Sequence, residues 1–208
     1  MAPPIFAKKR QLPFITISMI MINLLLFGHT LTLNTRALAQ FMRQWAIQPV
    51  QLFTDFSREF ITLLTAFFLH GSWVQLATNM AAIIFFGRLV EQHFRPNQAT
   101  MLLFVSGLTA TFAQLLIEPA NAVPIMGASG IVAGFIGAAL TIHQTNISRV
   151  QLFAAAALWF IAQQFNGFFP LQGLQFQVGS SAFFSAVGGI TSGILVAKRL
   201  RPTPKQLR

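Results

Sequence analysis

The sequence is short of charge, above all of acidic charge, and it lacks cysteine. Its 208 residues include four Asp or Glu, no Cys, and 9% charged residues of any kind. Without cysteine the chain can form no disulfide, carry no thiol nucleophile and build no thiolate metal site. A soluble domain of this length needs many more charges to keep its surface hydrated, whereas 54% of these residues are apolar. The composition therefore predicts a membrane protein.

Apolar stretches long enough to cross a bilayer recur along the chain. A spanning helix needs about 20 predominantly apolar residues. Six such stretches are predicted, at 13–33, 70–90, 99–118, 129–144, 148–169 and 181–197. We therefore predict an all-α, polytopic bundle of six transmembrane helices. It forms a single membrane domain over residues 1–208, with a long first loop at 34–69.

The formal net charge of +10 suggests a nucleic-acid partner unless its distribution explains it. Three basic residues, Arg36, Arg43 and Arg58, lie on one side of the six-span topology. The other eleven lie on the opposite side: Lys8, Lys9, Arg10, Arg88, Arg95, Arg149, Lys198, Arg199, Arg201, Lys205 and Arg208. This is the positive-inside pattern, and it argues against nucleic-acid binding. We expect a multi-pass protein of the bacterial plasma (inner) membrane with both termini cytoplasmic.

Three connecting segments have predicted roles. Segment 34–69 holds amphipathic stretches and is expected to lie on or in the membrane interface. Segment 119–128 has two prolines and Gly127 between apolar flanks, which predicts a re-entrant loop surrounded by protein or water. Segment 164–180 is rich in Gln, Gly and Phe and carries no charge. It is compatible with a mobile lid.

A possible nucleophile lies in Gly127-Ala128-Ser129-Gly130, at the start of the fourth stretch. At a helix start the Ser129 backbone N–H is free of intrahelical bonds and points to where an oxyanion would form. The alternative is a helix N-cap followed by a packing face. Gly130 and Gly134 have the small-xxx-small spacing that lets helices approach closely. The motif alone favours this second interpretation.

Two polar amides mark the second stretch. Gln75 and Asn79 are one helical turn apart and share a face, and amides inside a span are expected to face protein or water. Both can donate hydrogen bonds to a developing negative charge, although interhelical hydrogen bonding explains them equally well. The histidines at 29, 70, 93 and 143 are scattered. No metal-ligand cluster is present, so we predict no metal and no cofactor.

Small residues also recur in the sixth stretch, at Gly188, Gly189 and Gly193. This face is suited to lie against the glycines of the fourth stretch. Ala186 precedes Gly189 by three residues and shares its face. The same contact is therefore expected to bring Ala186 close to Ser129.

Together these motifs resemble the rhomboid family of intramembrane serine proteases. The similarity runs from about Leu52 to the end of the sixth stretch, and the order and spacing of the motifs agree. The resemblance implies that Ser129 is the nucleophile and that Asn79 and Gln75 donate hydrogen bonds to the oxyanion. Expected near the site are His70, Gly127, Gly130, Gly188 and Gly189.

The sequence departs from the family pattern at three places. Ala186 stands where the family has its general-base histidine, and no nearby residue replaces it. Gln75 stands where the second span usually has histidine, and Ile61-Thr62 where the first loop often has Trp-Arg. A serine hydroxyl is a poor nucleophile until a base accepts its proton. Removing the base from soluble serine proteases costs about a millionfold in rate.

Two functions therefore remain open. One is an intramembrane serine endopeptidase scaffold, of the kind that cleaves transmembrane segments, inactive here because of Ala186. The other is a non-catalytic pseudoprotease that binds transmembrane clients. In both cases the partners are transmembrane segments of membrane proteins and the lipid bilayer, and the oligomeric state is open. A small transporter is disfavoured because the chain has no internal repeat and no buried charge pair on facing spans.

Overall fold

The computed structural model describes residues 12–120, 123–142, 147–173 and 181–200. In these residues the regular structure is helical, joined by turns, loops and two isolated antiparallel bridges. The α-helices are α1 (Phe14–Thr32), α2 (Thr35–Trp45), α3 (Pro49–Thr54), α4 (Phe56–Glu59), α5 (Thr62–Thr65), α6 (Trp73–Ala82), α7 (Arg88–His93), α8 (Pro96–Ile117), α9 (Ser129–Thr141), α10 (Arg149–Gln163) and α11 (Ser181–Leu200). A π-helical turn, Ile83–Gly87, joins α6 to α7, and short 3₁₀ turns lie at Ala66–Phe68 and Leu171–Gly173.

Four helical segments of the described chain are long and apolar enough to cross a membrane. They are α1, the continuous segment Trp73–His93, α8, and Phe183–Leu200 of α11. The predicted all-α membrane class is confirmed, and four of the predicted spans are long apolar helices. α9 has 13 residues and α10 has 15. A helix of 13 residues is about 20 Å long, shorter than the ~30 Å hydrocarbon core, so the six-span count stays a prediction.

Several helix ends differ from the ends of the predicted stretches, whose bounds as membrane spans stay a prediction. The fifth stretch, predicted to reach 169, ends as a helix at Gln163, where the side chain turns inward and accepts a hydrogen bond from Asn166 Nδ2 at 2.7 Å. The second begins at Trp73 rather than 70, because Ser72 caps it. The fourth ends at Thr141, and residues 143–146 lie outside the described residues.

α9 is the central helix of the bundle. Eleven of its 13 residues are buried, and α8 and α11 pack along it. Most of its residues are glycine, alanine or β-branched. A helix that is covered on all sides has to be apolar all round.

Glycines set the distance between α9 and α11. A methyl group added at Gly189 would lie 2.6 Å from the Gly130 carbonyl oxygen and 2.7 Å from Ala133 Cβ. At Gly193 an added methyl would overlap the Gly134 carbonyl. Gly189 therefore meets Gly130, and one turn later Gly193 meets Gly134. Because the residue numbers rise together on both helices, α9 and α11 run in the same direction. The predicted close contact between the fourth and sixth stretches is confirmed.

Gly130 and Gly134 of α9 face α8. A methyl added at Gly134 would overlap the Ser106 side chain, and one added at Gly130 would meet Ala110 Cβ. The sequence suggested that the two glycine faces lie against each other. Instead Gly189 and Gly193 of α11 rest on backbone carbonyls of α9, while Gly130 and Gly134 of α9 admit α8. One small-residue stripe therefore supports two close helix contacts.

A carboxylate anchors the first helix. Glu91 accepts hydrogen bonds from the backbone N–H groups of Ile15 at 2.9 Å and Thr16 at 2.7 Å, and from the Thr16 hydroxyl at 2.6 Å. The first N–H groups of a helix have no intrahelical partner, and Pro13 at the N-cap position offers no side-chain acceptor. The helix dipole also favours a negative charge there. Glu91 therefore caps α1 from α7.

The first loop is folded onto the segment that precedes α9. Ile47 and Ile125 exchange two backbone hydrogen bonds, at 3.0 and 2.8 Å. The Thr65 hydroxyl donates to the Trp45 carbonyl at 2.7 Å. These contacts fix the position of the loop that leads into Ser129.

Candidate functional site

Ser129 is the first residue of α9, directly after a turn that requires glycine. Gly127 has φ +113°, a value that residues with a Cβ rarely adopt. Its N–H donates to the Ala66 carbonyl at 2.9 Å, which ties the turn to the end of the first loop. Ser129 is half-buried. Its backbone N–H, at a helix start, is free of intrahelical bonds.

Gln75 joins the start of α6 to this turn. Its Oε1 accepts from the Gly71 backbone N–H at 2.8 Å, and its Nε2 donates to the Met126 carbonyl at 3.1 Å. A methyl added at Gly127 would lie 2.7 Å from Gln75 Nε2. The structure therefore brings Gln75 to the serine turn. Its amide is engaged by the backbone on both sides.

Asn79 lies one turn further along α6 and is fully buried. Its Oδ1 is 3.4 Å from Trp159 Nε1, and an indole nitrogen can only donate. The side-chain amide is therefore oriented with its oxygen toward α10. Its Nδ2 then lies 3.2 Å from His70 Nε2, so the imidazole accepts at that nitrogen and carries its proton at Nδ1.

Gln163 extends the network along α10. Its Nε2 donates to Thr78 Oγ1 at 3.2 Å and to Asn79 Oδ1 at 3.4 Å. Its Oε1 accepts from Asn166 Nδ2 at 2.7 Å. Sequence reasoning missed Trp159, Gln163 and Asn166. The signal that could have found them is polarity at 3–4-residue spacing at the end of an apolar stretch.

Ala186 is buried, and its side chain is a methyl group. It lies one turn before Gly189, whose backbone rests on Gly130 and Ala133. By helical spacing Ala186 and Gly189 share a face of α11, and the proximity of Ala186 to Ser129 stays a prediction. The neighbouring Gly188 belongs to another contact, since a methyl there would lie 2.8 Å from Ala113 Cβ of α8.

The segment after α10 is tied to the start of α6. The Leu171 N–H donates to the Gly71 carbonyl at 3.1 Å, and the Trp73 N–H donates to the Phe169 carbonyl at 3.4 Å. Phe169 and Gln172 both have positive φ, 54° and 49°. The predicted lid is thus held by backbone hydrogen bonds in its described part. Residues 174–180 of that prediction lie outside the described residues.

The site therefore contains a serine at a helix start, two amides and a buried histidine, arranged around one glycine turn. The amides and the histidine are bonded to one another or to the backbone. Among the described residues no hydrogen bond is formed by the Ser129 hydroxyl. The arrangement offers hydrogen-bond donors beside Ser129 but no base bonded to it.

Comparison with known proteins identifies relatives of this chain. The Rhomboid domain family model matches residues 57–203. Three proteins of Arabidopsis thaliana are similar over shorter segments. RHOMBOID-like protein 5 is 31% identical over 84 residues, RHOMBOID-like protein 6, mitochondrial, is 34% identical over 106, and Rhomboid-like protein 11, chloroplastic, is 28% identical over 105.

These pairwise similarities cover 40%, 48% and 50% of this chain and 27%, 32% and 37% of the three relatives. The chain thus spans about a third of the length of these curated relatives. The family model covers more than half of the chain and includes α5 to α11, with the serine turn and both amides of α6. This chain belongs to the rhomboid family of membrane proteins.

Proposed function

We propose that this chain is a non-catalytic rhomboid protein, a pseudoprotease that binds transmembrane segments of other membrane proteins. The observation that carries the proposal is the closed polar network around the serine turn. Gln75 is bonded to the backbone at Gly71 and Met126, and Asn79 is bonded to His70 and α10. These bonds stabilise the scaffold and fix both amides, so each amide nitrogen has one N–H left for a substrate carbonyl.

The chemistry at residue 186 supports the same conclusion. Hydrolysis through Ser129 needs a base that accepts the hydroxyl proton, and the methyl group of Ala186 has no acceptor. His70 is the remaining histidine of this site, but its Nε2 accepts from Asn79. Loss of the base alone lowers the rate about a millionfold in soluble serine proteases.

Client binding is supported by the way α10 meets α6. Their contact rests on the hydrogen bonds of Trp159 and Gln163 with Thr78 and Asn79, rather than on closely packed glycines. Beside the buried Trp159, Leu158 is 69% exposed. Helices associate in lipid mainly through close packing and polar contacts, so a client helix could take the place of lipid along this boundary.

A defined transmembrane peptide tests this function in nanodiscs that contain the full chain. A photocrosslinking residue at Leu158 should capture the peptide, whereas the same residue at Leu25, an equally exposed position on α1, should capture much less. Equal capture at the two positions, or capture at neither, would contradict client binding along α10.

A hydrolytic function is the second candidate, supported by the backbone at Ser129. At the helix start the Ser129 N–H is free of intrahelical bonds and available where an oxyanion would form, with the second N–H of the Gln75 and Asn79 amides as additional donors. The test is cleavage of a transmembrane substrate by the unmodified chain, with Ser129→Ala as control. We expect no cleavage by either. Cleavage that Ser129→Ala abolishes would show a protease with another base.

We further propose a single domain over residues 1–208 that crosses a bacterial plasma (inner) membrane six times with both termini in the cytoplasm. Among the described residues the support is the charge distribution, because Arg88 and Arg95 lie at the ends of helices that share one end of the bundle. A cysteine at Gln92 should then react with a reagent added to the cytoplasmic side and one at Gln40 from the other side. Reaction of both from one side would exclude this topology.

A further inference from the structure

A groove lies on the outside of the bundle between the second apolar segment and the start of α10. Its volume is about 540 Å³. It is lined by Ala81, Ile84, Phe85, Arg88, Leu89, Gln92 and Ile147. Ile84 and Phe85 are exposed and belong to the π-helical turn, which is wider than an α-helical turn, while Ala81 adds only a methyl group. Apart from Arg88 and Gln92, these walls are apolar.

Arg88 is the charged group of the groove and is exposed. It lies five residues before His93, where the segment ends, so its Cα is about 7.5 Å from that end. A long cationic side chain at this depth extends toward the head groups while its stem covers apolar surface. Its guanidinium is therefore available to an anion at the boundary between hydrocarbon and head groups.

The protein supplies no obvious carboxylate for Arg88. The chain has four acidic residues. Glu91, the nearest in sequence, is bonded to Ile15 and Thr16 at the start of α1. Asp55 and Glu59 belong to the first loop, and Glu118 follows the far end of α8. Among the described residues no carboxylate is bonded to Arg88, so an anion from outside the chain can occupy this position.

Other cations surround this end of the bundle and favour an anionic ligand. The start of α8 is joined to the end of α11 by Gln98 Nε2, which donates to the Leu200 carbonyl at 3.3 Å. Lys198 and Arg199 are in that last turn of α11. Arg149 at the start of α10 donates to the Leu140 carbonyl at the end of α9, at 2.9 Å.

We propose that this groove binds an anionic phospholipid, with the phosphate on Arg88 and an acyl chain along Ile84 and Phe85. The groove supplies both parts that such a ligand requires, a cation at head-group depth and an apolar channel below it. A basic side chain near the membrane surface favours anionic lipid by about fivefold. The site is separate from the serine turn and does not depend on the proposed function.

The test uses the full chain with Phe85→Trp in phosphatidylcholine nanodiscs. Quenching of the introduced indole by lipids brominated on the acyl chain reports which lipid occupies the groove. The same chain without the substitution gives the background from its three native tryptophans. Brominated phosphatidylglycerol should quench at about one fifth of the concentration that brominated phosphatidylcholine requires.

Arg88→Gln in the Phe85→Trp background should remove this preference, while Arg88→Lys should retain most of it. Lys198→Gln, which removes an exposed cation from the same end, should retain the preference. Ala81→Phe would fill the groove without adding an indole and should, with Phe85→Trp, reduce quenching by both lipids. Equal quenching by the two lipids in the parent, or a preference that survives Arg88→Gln, would overturn the proposal. If Arg88→Gln does not fold, the Ala81→Phe variant and the comparison of the two lipids still decide it.

Discussion

The three helices α8, α9 and α11 and the two outer helices α1 and α10 are held in place by different interactions. In the trio, backbones touch: the glycines of α11 lie on carbonyls of α9, and Gly134 admits Ser106 of α8. The outer helices are attached through polar groups. Glu91 binds the start of α1, while Asn79 and Thr78 bind the side chains of α10.

The difference follows from the solvent. Lipid tails are as apolar as leucine, so burial of apolar side chains does not drive helices together inside a bilayer. Close contact over a long surface needs small residues, which the trio has. A helix without them needs polar contacts, and those are few and local. The outer helices are therefore the parts of this fold that can shift while the centre stays intact.

The largest effect is expected from Gly189→Leu, which breaks the trio. A leucine would have to occupy space that the Gly130 carbonyl and Ala133 already fill, and over-packing at a backbone contact should cost about 3 kcal/mol. Thermal unfolding in detergent measures it. The matched control is Ala157→Leu, because Ala157 is exposed on α10 and a leucine there meets no packed neighbour. The adjacent Ala156 is less suitable as a control because it is half-buried against the core. Equal unfolding temperatures would contradict the steric argument.

Glu91→Gln should loosen α1 and have a smaller effect. The amide replaces a carboxylate that accepts three hydrogen bonds, and loss of such charge-assisted bonds should cost about 2 kcal/mol. Thr16→Val removes only the hydroxyl donor and should cost less. Chemical denaturation of the two single variants and the double variant measures the coupling. Additive effects would mean that the carboxylate does not act through Thr16.

Gln163→Leu should release α10 at a cost of about 0.6 kcal/mol, the average for interhelical hydrogen bonds in a membrane protein. The change removes the bonds to Thr78 and Asn79. Hydrogen exchange should become faster in α10 and stay unchanged in α9. Gln164→Leu is the control, because that side chain bonds to Phe160 within its own helix. Faster exchange in α9 as well would mean that the two regions are not independent.

Ala186→His should change stability least and activity most clearly. If residue 186 faces the start of α9, an imidazole there can accept the Ser129 proton, and some cleavage of a transmembrane substrate should appear. Ser129→Ala in the same chain should abolish it. If Ala186→His folds but does not cleave the substrate, the missing base is not the only obstacle, and the bonded amides of Gln75 and Asn79 are the next candidate. The double variant Ala186→His with Gln75→His then tests whether that network prevents hydrolysis.

Several features could be read directly from residues. Low charge and repeated apolar stretches predicted a helical membrane protein, and small residues at four-residue spacing predicted the contact of α9 with α11. Gln75 and Asn79 were placed on one face of α6 by helical periodicity alone. These features depend on local composition and on spacing within one helix, which a single sequence displays.

Only the tertiary structure shows which partner each of these residues contacts. The sequence could not show that Gly130 and Gly134 admit α8, that Glu91 caps a helix that begins about 75 residues earlier, or that Trp159 and Gln163 orient Asn79. Each joins elements far apart in the chain, and hydrogen-bond partners at such separations leave no periodic pattern. By itself the sequence determined which segments are apolar and where backbones can touch. Only the packing of the helices decided which polar group meets which.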